Sequence, residues 1–334
     1  MSAFSPLIGQ PQAVELLTQA IAKQRVAPAY LFAGPDGVGR SLAAICFIQS
    51  LFEQDADNRA LSSAAPSDAV ESTALGHRIA QCNHPDVLWV EPTYLHQGKR
   101  LSVAEAAEAG VKRKTPPLIR LEQIREITQF LSRPPLEASR SIVVIQQAET
   151  MAEAPANALL KTLEEPGQAT LILIALGAES LLPTLVSRCQ KIPFYRLPTG
   201  EMAQVLERTN HTEILQHPLA LRLAQGSPGG AIAHWQKLQE FPADLLELVS
   251  QLPRSHREAL HLARQIDQQI EPENQLWLLD YLQHQYWHHQ TTTIQSLSPA
   301  QILPLKQLEK AREYLLSNVQ SRLVWEVTLL GMVN

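Results

Sequence analysis

The chain has 334 residues, length for about two or three domains with a sizeable core, and 45% of them are hydrophobic, as in soluble globular proteins. A formal charge of −5 argues against a chain that grips DNA unaided, and three cysteines argue against a disulfide framework. No apolar run reaches the ~18 residues of a membrane span, and MSAFSPLIGQ has neither the basic start nor the apolar core of a signal peptide, so the expected location is the cytoplasm.

In chain order, Ile8-Gly9-Gln10 precedes an amphipathic segment, Ala13 to Gln24, with Val14, Leu17, Ala20 and Ile21 on one helical face. Ala29–Ala33 reads as a buried strand, followed by the glycine loop Gly34-Pro35-Asp36-Gly37-Val38-Gly39-Arg40-Ser41 and a helix from Leu42 to about Phe52. Residues 53–76 are rich in Ala, Ser and Asp without a period and read as a loose insertion. Cys82-Asn83-His84-Pro85-Asp86 leads into a strand, Val87–Val90. Residues 91–117, with Lys99, Arg100, Lys112, Arg113 and Lys114, read as an irregular exposed loop. Ile124, Ile127, Phe130 and Leu131 then share a helical face, and Ile142–Ile145 is a buried strand.

The segment Asn157–Leu163 has Leu159, Leu160 and Leu163 on one side of a helix that Pro166 and Gly167 end. Thr170–Leu176 is continuously apolar and β-branched, as in a strand covered on both faces. Strands alternating with helices from 29 to 176 predict a parallel sheet between helical layers. After Pro198 only helical patterns remain: short helices to about residue 240, then a helical stretch to the end. There Leu305, Leu308, Leu315, Val319, Leu323, Val327 and Leu330 recur by threes, fours and sevens.

Gly34, Gly39 and Ser41 meet the G-x-x-x-x-G-K-[ST] spacing, in which backbone N–H groups cradle phosphates, a lysine reaches the terminal phosphates and a hydroxyl serves magnesium. Arg40 stands at the lysine position, and its planar fork is not a conservative replacement. Two readings stand open: a glycine turn without a ligand, or a weak nucleotide site of Gly34, Gly37, Gly39, Arg40 and Ser41 holding ATP or ADP statically.

The string NALLKTLEEP, the apolar strand after it and Ser187-Arg188-Cys189 together resemble the clamp-loader branch of the AAA+ ATPases. The resemblance covers most of the chain, with its specific motifs before residue 235. It implies an AAA+ α/β domain over 1–197, a small helical lid over 198–243 and an all-α collar over 244–334. It also implies a place in the DNA polymerase III clamp loader. That is a five-membered ring of ATPase subunits and a clamp-opening subunit that sets a sliding clamp on primed DNA. In such a fold the strand ending at Ile145 should carry Asp-Glu for magnesium and the attacking water; Gln146-Gln147 are neutral amides that serve neither purpose. A polar sensor should follow the next strand, where Ala175-Leu176 stand, and the lid motif G-S-x-R meets Gly226-Ser227-Pro228-Gly229 without its arginine. Four departures together imply a subunit that hydrolyses no ATP. Arg188, by resemblance, is an arginine finger projected into a neighbour's ATP site, where such a group is worth ~10³–10⁵ in rate; otherwise it is a surface arginine paired to a carboxylate. Two rivals stay open: an ATP-hydrolysing motor subunit of the same family, and an unrelated P-loop kinase or nucleotide sensor.

The remaining signals are weaker. Relatives implied by the resemblance often carry a four-cysteine zinc module before the His-Pro-Asp turn. Here Cys82, with His77 and His84 nearby, is too few for a structural zinc, and no metal is expected. His284 and His288 read as solvated helix histidines, and Cys46 and Cys189 as buried small apolar groups. Lys161 either faces DNA or balances its helix; Ile8-Gly9-Gln10 resembles the segment that contacts adenine in relatives, or only braces the fold; Glu149 caps or braces the following helix.

Overall fold

The computed structural model describes residues 3–60, 69–110, 116–165, 167–291, 299–317 and 319–333. The chain divides into two compact units, Met1–Ala231 and Ile232–Asn334.

The first unit opens with helix α1 (Pro11–Ala22), strand β1 (Ala29–Ala33) and helices α2 (Arg40–Ala60) and α3 (Ala69–Ala80). Where a loose insertion is expected over 53–76, helix covers 53–60 and 69–76, and 61–68 lie outside the described residues. Glu53, Gln54, Ala56 and Arg59 are good helix formers, so propensity extends α2 where no apolar period announces it. Strand β2 (Val87–Val90) follows, then a hairpin of β3 (Tyr94–His96) and β4 (Lys99–Leu101), and helix α4 (Val103–Glu108). This corrects the irregular loop expected over 91–117. Gln97 and Gly98, both at positive φ (49° and 78°), make the two-residue turn. A capping box between Ser102 and Glu105 starts α4, and Arg100 forks onto Glu126. The basic residues 112–114 lie outside the described residues.

Helix α5 (Leu121–Leu131), strand β5 (Ser141–Ile145), helix α6 (Glu153–Glu164), strand β6 (Ala169–Ala175), the short helix α7 (Pro183–Val186) and strand β7 (Gln190–Pro193) complete a five-stranded parallel sheet. Its order is β2-β5-β6-β1-β7. β7 escapes the apolar pattern because it is an edge strand, QKIP, with only Ile192 buried and a proline at its end. One sheet face carries Leu31, Val143, Ile145, Leu171 and Leu173 against Ile124 and Ile127 of α5 and Leu159 and Leu163 of α6. Each such side chain, fully buried, is worth ~1.5–3 kcal/mol. On the other face Tyr30 meets Phe47 of α2 edge-on, ring centroids 5.1 Å apart. Asp86, 2% exposed, accepts three backbone N–H bonds from Leu136, Glu137 and Ala138 at 2.6–2.7 Å, pinning the loop after α5. Burial opposes its charge, yet those donors outweigh it and hold the carboxyl below its ordinary range. Helices α8 (Thr199–Arg208), α9 (Pro218–Ala224) and the first turn of α10 (Pro228–Glu240) close the unit.

The second unit is helical: the rest of α10, α11 (Ala243–Ser250), α12 (His256–Gln269), α13 (Pro272–Thr291), α14 (Pro299–Leu316) and α15 (Ser321–Leu330). Trp325, fully buried, donates to Gln275 Oε1 at 2.8 Å, and Gln275 in turn donates to the Ile270 carbonyl at 3.1 Å. The apolar residues from Leu305 to Leu330 do not form one buried face. The helix breaks between α14 and α15, so Leu308 is buried while Leu323 and Val327 stay about half exposed (51% and 52%).

Candidate functional site: a closed phosphate loop and an arginine edge

The glycine loop leaves the carboxyl end of β1, between β6 and β7, where open α/β sheets place their ligand crevices. Gly34 donates to the Ala175 carbonyl at 3.2 Å, and a Cβ there would stand 2.4 Å from the Phe194 carbonyl oxygen. Gly37 (φ +71°) and Gly39 (φ +101°) adopt backbone conformations suited to glycine. Arg40 begins α2 and is 5% exposed; its guanidinium donates to the Ala175 carbonyl and to the carboxylate of Asp36 within the loop. The cation that a phosphate loop offers its ligand is thus held by the loop's own carboxylate. Ser41, the hydroxyl of the spacing, is half-buried.

The segment Gly226-Ser227-Pro228-Gly229 rests directly on this loop. Ser227 Oγ donates to the Asp36 carbonyl at 2.6 Å, and the Gly229 N–H donates to the Gly37 carbonyl at 3.0 Å. A Cβ on Gly229 would come 2.7 Å from Gly37 Cα. Sequence reasoning registers Gly229 only as a missing arginine; its positive role is to let two backbones touch. Gln10, 2% exposed, donates to the Val38 and Tyr195 carbonyls at 3.2 and 2.7 Å and accepts from the Tyr195 N–H at 3.0 Å. Both ends of its amide are engaged within the fold, in the manner of a brace.

At the end of β5, Gln146 donates its backbone N–H to Val90, and Gln147 is exposed in a left-handed conformation (φ 48°). Glu149 Oε2 is buried without a hydrogen-bond partner, and Glu149 does not cap the following helix, whose N-cap is Ala152. Ala175 and Leu176 contribute no polar side chain, and the Ala175 carbonyl instead receives Arg40. A nucleotide's terminal phosphates fit these residues poorly.

Arg188 stands elsewhere. Ser187 caps α7, bonding back to Thr184 at 3.0 Å, and Arg188 follows just before β7. In the parallel register Gln190 lies level with Tyr30 and Pro193 with Ala33. Arg188 is therefore on the order of 15–20 Å from Gly34 along the strand direction, at ~3.3 Å per residue. Its guanidinium donates to the Thr184 carbonyl at 3.1 Å and to Glu164 of α6 at 2.7 Å, and it remains 38% exposed. The carboxylate pairing expected of a surface arginine is present; the exposure expected of a finger is present too. Burial pushes the Cys189 and Cys46 thiols up to about 11, so neither is a nucleophile at neutral pH.

Lys161 lines a groove of about 540 Å³ between α5 and α6 with Arg133 and Glu165. Among the described residues no group of three or more His, Cys, Asp or Glu is arranged to hold a metal. His84 is engaged otherwise: its Nδ1 accepts the Asp86 N–H at 3.1 Å and its Nε2 lies 3.7 Å from Glu137, which Arg78 grips at 2.9 Å with both nitrogens. The side chain of His288 lies outside the described residues.

Residues 9–198 match the family model described as DNA polymerase III, delta subunit, and residues 200–332 match that of the C-terminal domain of cyanobacterial DNA polymerase III delta prime. The DNA polymerase III subunit delta' of Bacillus subtilis is 33% identical over 189 residues, 56% of this chain, and the match spans about half (48%) of that protein. That of Pseudomonas aeruginosa is 32% identical over 255 residues, 74% of this chain and 68% of its own length. Among solved structures, a DNA polymerase III gamma subunit-related protein of Thermotoga maritima shares the fold, with a TM-score of 0.54 at 18% identity over 95% of this chain and 97% of that one. With a parallel α/β region followed by an all-helical one, and with relatives of this extent, the chain belongs to the DNA polymerase III delta-prime family.

Proposed function

We propose that the chain is the non-catalytic stator of a clamp loader. In this role it sits in the cytoplasm in a five-membered ring with ATPase subunits and a clamp-opening subunit. It hydrolyses no ATP itself and supplies Arg188 to the ATP site of a neighbour while a sliding clamp is loaded on primed DNA. The observation that carries the reading is the register: Arg188 lies at the opposite end of the sheet from the chain's own loop, so a nucleotide it serves belongs to another subunit.

Magnitudes favour a finger over a mere surface pair. A half-exposed ion pair such as Arg188–Glu164 contributes ~0–1 kcal/mol, little to give up on docking. An arginine meeting the charge developing on a transferred phosphoryl group is worth ~10³–10⁵ in rate, or ~4–7 kcal/mol. The motor-subunit rival would need a carboxylate where Gln146 and Gln147 stand. The test is reconstitution with the motor subunits, clamp opener, clamp and primed DNA, comparing wild type with Arg188→Ala. The stator reading expects an intact ring and a large loss of stimulated ATPase and loading, with no turnover by this chain alone. Unchanged activity would sink the finger; turnover by the isolated chain would revive the motor.

A further inference from the structure

We propose that the phosphate loop is a permanent clasp. Arg40 serves as its internal ligand in place of a nucleotide, and the closed loop fastens the helical segment 199–231 to the sheet through Ser227 and Gly229. The inference goes beyond the stator reading and does not depend on Arg188, since every contact it uses lies within the first compact unit.

Charge supplies the first argument. A buried guanidinium must be paired and hydrogen-bonded to be tolerated. Arg40 meets that need with the Asp36 carboxylate and the Ala175 carbonyl, one from the loop and one from the neighbouring strand end. A nucleotide phosphate competing for it faces an intramolecular carboxylate whose effective concentration is at least in the ~mM range.

Sterics and hydrogen bonding supply the second argument. The loop carbonyls of Asp36 and Gly37 are taken by Ser227 Oγ and the Gly229 N–H, and Ser227 Oγ also accepts the Gly230 N–H at 2.9 Å. A Cβ on Gly37 would stand 2.5 Å from Ser227 Oγ and 2.7 Å from the Gly230 nitrogen, so the loop and the start of α10 meet backbone to backbone. Nearby, the Leu197 N–H donates to the Gly226 carbonyl at 2.7 Å and Arg196 donates to the Ala224 and Gln225 carbonyls at 3.2 and 2.9 Å. The turn that carries Gly229 is thus tied on both sides. A side chain at position 229 would part the surfaces, so glycine there follows from the clasp.

The experiment uses the full chain in isolation, which keeps it separate from any ring assay. Titration with magnesium-ATP and magnesium-ADP by calorimetry should show no saturation up to about 1 mM. Amide exchange should report strong protection at Gly229 and Gly230. Arg40→Ala and Gly229→Ala should each speed exchange of the residue 229 amide about tenfold or more, and Ser227→Ala should speed it several-fold, with β5 and β6 still protected. Should Arg40→Ala fail to fold, the other two variants, which keep Arg40, carry the same comparison. Saturable nucleotide binding by the wild type well below 1 mM would overturn the proposal, as would unchanged exchange at position 229 in the variants that fold.

Discussion

The two ends of the central sheet have fared differently. At the carboxyl end of β1 groups that would face a nucleotide are engaged internally: Arg40 by Asp36, Gly37 by Gly229, Gln10 by Val38 and Tyr195. At the amino end of β7 Arg188 stays more than a third exposed and is held, among the described residues, by a carbonyl and a half-exposed carboxylate. One end is densely bonded within the fold; the other keeps an exposed guanidinium, as the proposed finger requires. Under the proposed stator role, the contrast distinguishes the two ends better than either motif alone.

The largest effect that would break this comparison is at the arginine edge. Arg188→Ala should lower the neighbour's stimulated ATPase by about 10³-fold or more in a reconstituted ring, read by phosphate release; a loss of less than tenfold would make both ends structural. Next comes a control that touches neither end. Asp86→Ala strands three backbone donors and should cost ~3–5 kcal/mol in urea unfolding, at ~1–3 kcal/mol for each orphaned donor with partial recovery by water. A cost below 1 kcal/mol would show that the loop after α5 is pinned by other contacts.

Acid provides a smaller effect in each unit. Burial, then the Arg78 charge, lowers the pKa of His84 against the pull of Glu137 and Asp86. Burial lowers that of His234, whose Nδ1 accepts the Trp277 indole N–H at 2.8 Å, against Asp280. Both imidazoles are more easily protonated when unfolded, so their contribution is fully present above the ordinary histidine value of 6.5 and is lost as pH falls below it towards the folded values. The urea midpoint should fall between pH 7.5 and 5.5, and His84→Gln should flatten that dependence; an unchanged slope would remove His84 from the account. The smallest effect is at Glu164. Replacing it with Gln should change stability by less than ~1 kcal/mol while leaving Arg188 free to move, seen as faster relaxation of its Nε–H in nuclear magnetic resonance.

Much of the fold was legible because its strands are short apolar runs between helical periods, and β1, β2, β5 and β6 fall within a residue of expectation. β7 was not, since one buried isoleucine makes no pattern. The hairpin of β3 and β4 was hidden behind Gln97-Gly98, a turn without the usual Asn or Asp, and the extension of α2 behind residues with helix propensity but no apolar period. At the site, the missing carboxylates at 146 and 147 could be read directly, because chemistry resides in side-chain identity. The seating of Gly229 on Gly37 could not, since it brings together positions almost two hundred residues apart, and the Arg40–Asp36 pair, though only four residues apart, is set by how the glycine loop folds.

The glycines of the loop also bear on inheritance. Gly34 abuts a carbonyl oxygen, Gly37 abuts the backbone at 229 and 230, and Gly39 combines φ +101° with the Leu7 side chain 2.8 Å from where its Cβ would be. Selection for a folded chain alone therefore suffices to keep all three, generation after generation, with no phosphate ever bound. In such a fold the glycine spacing is a requirement of folding geometry, and by itself it is no sign of a bound phosphate.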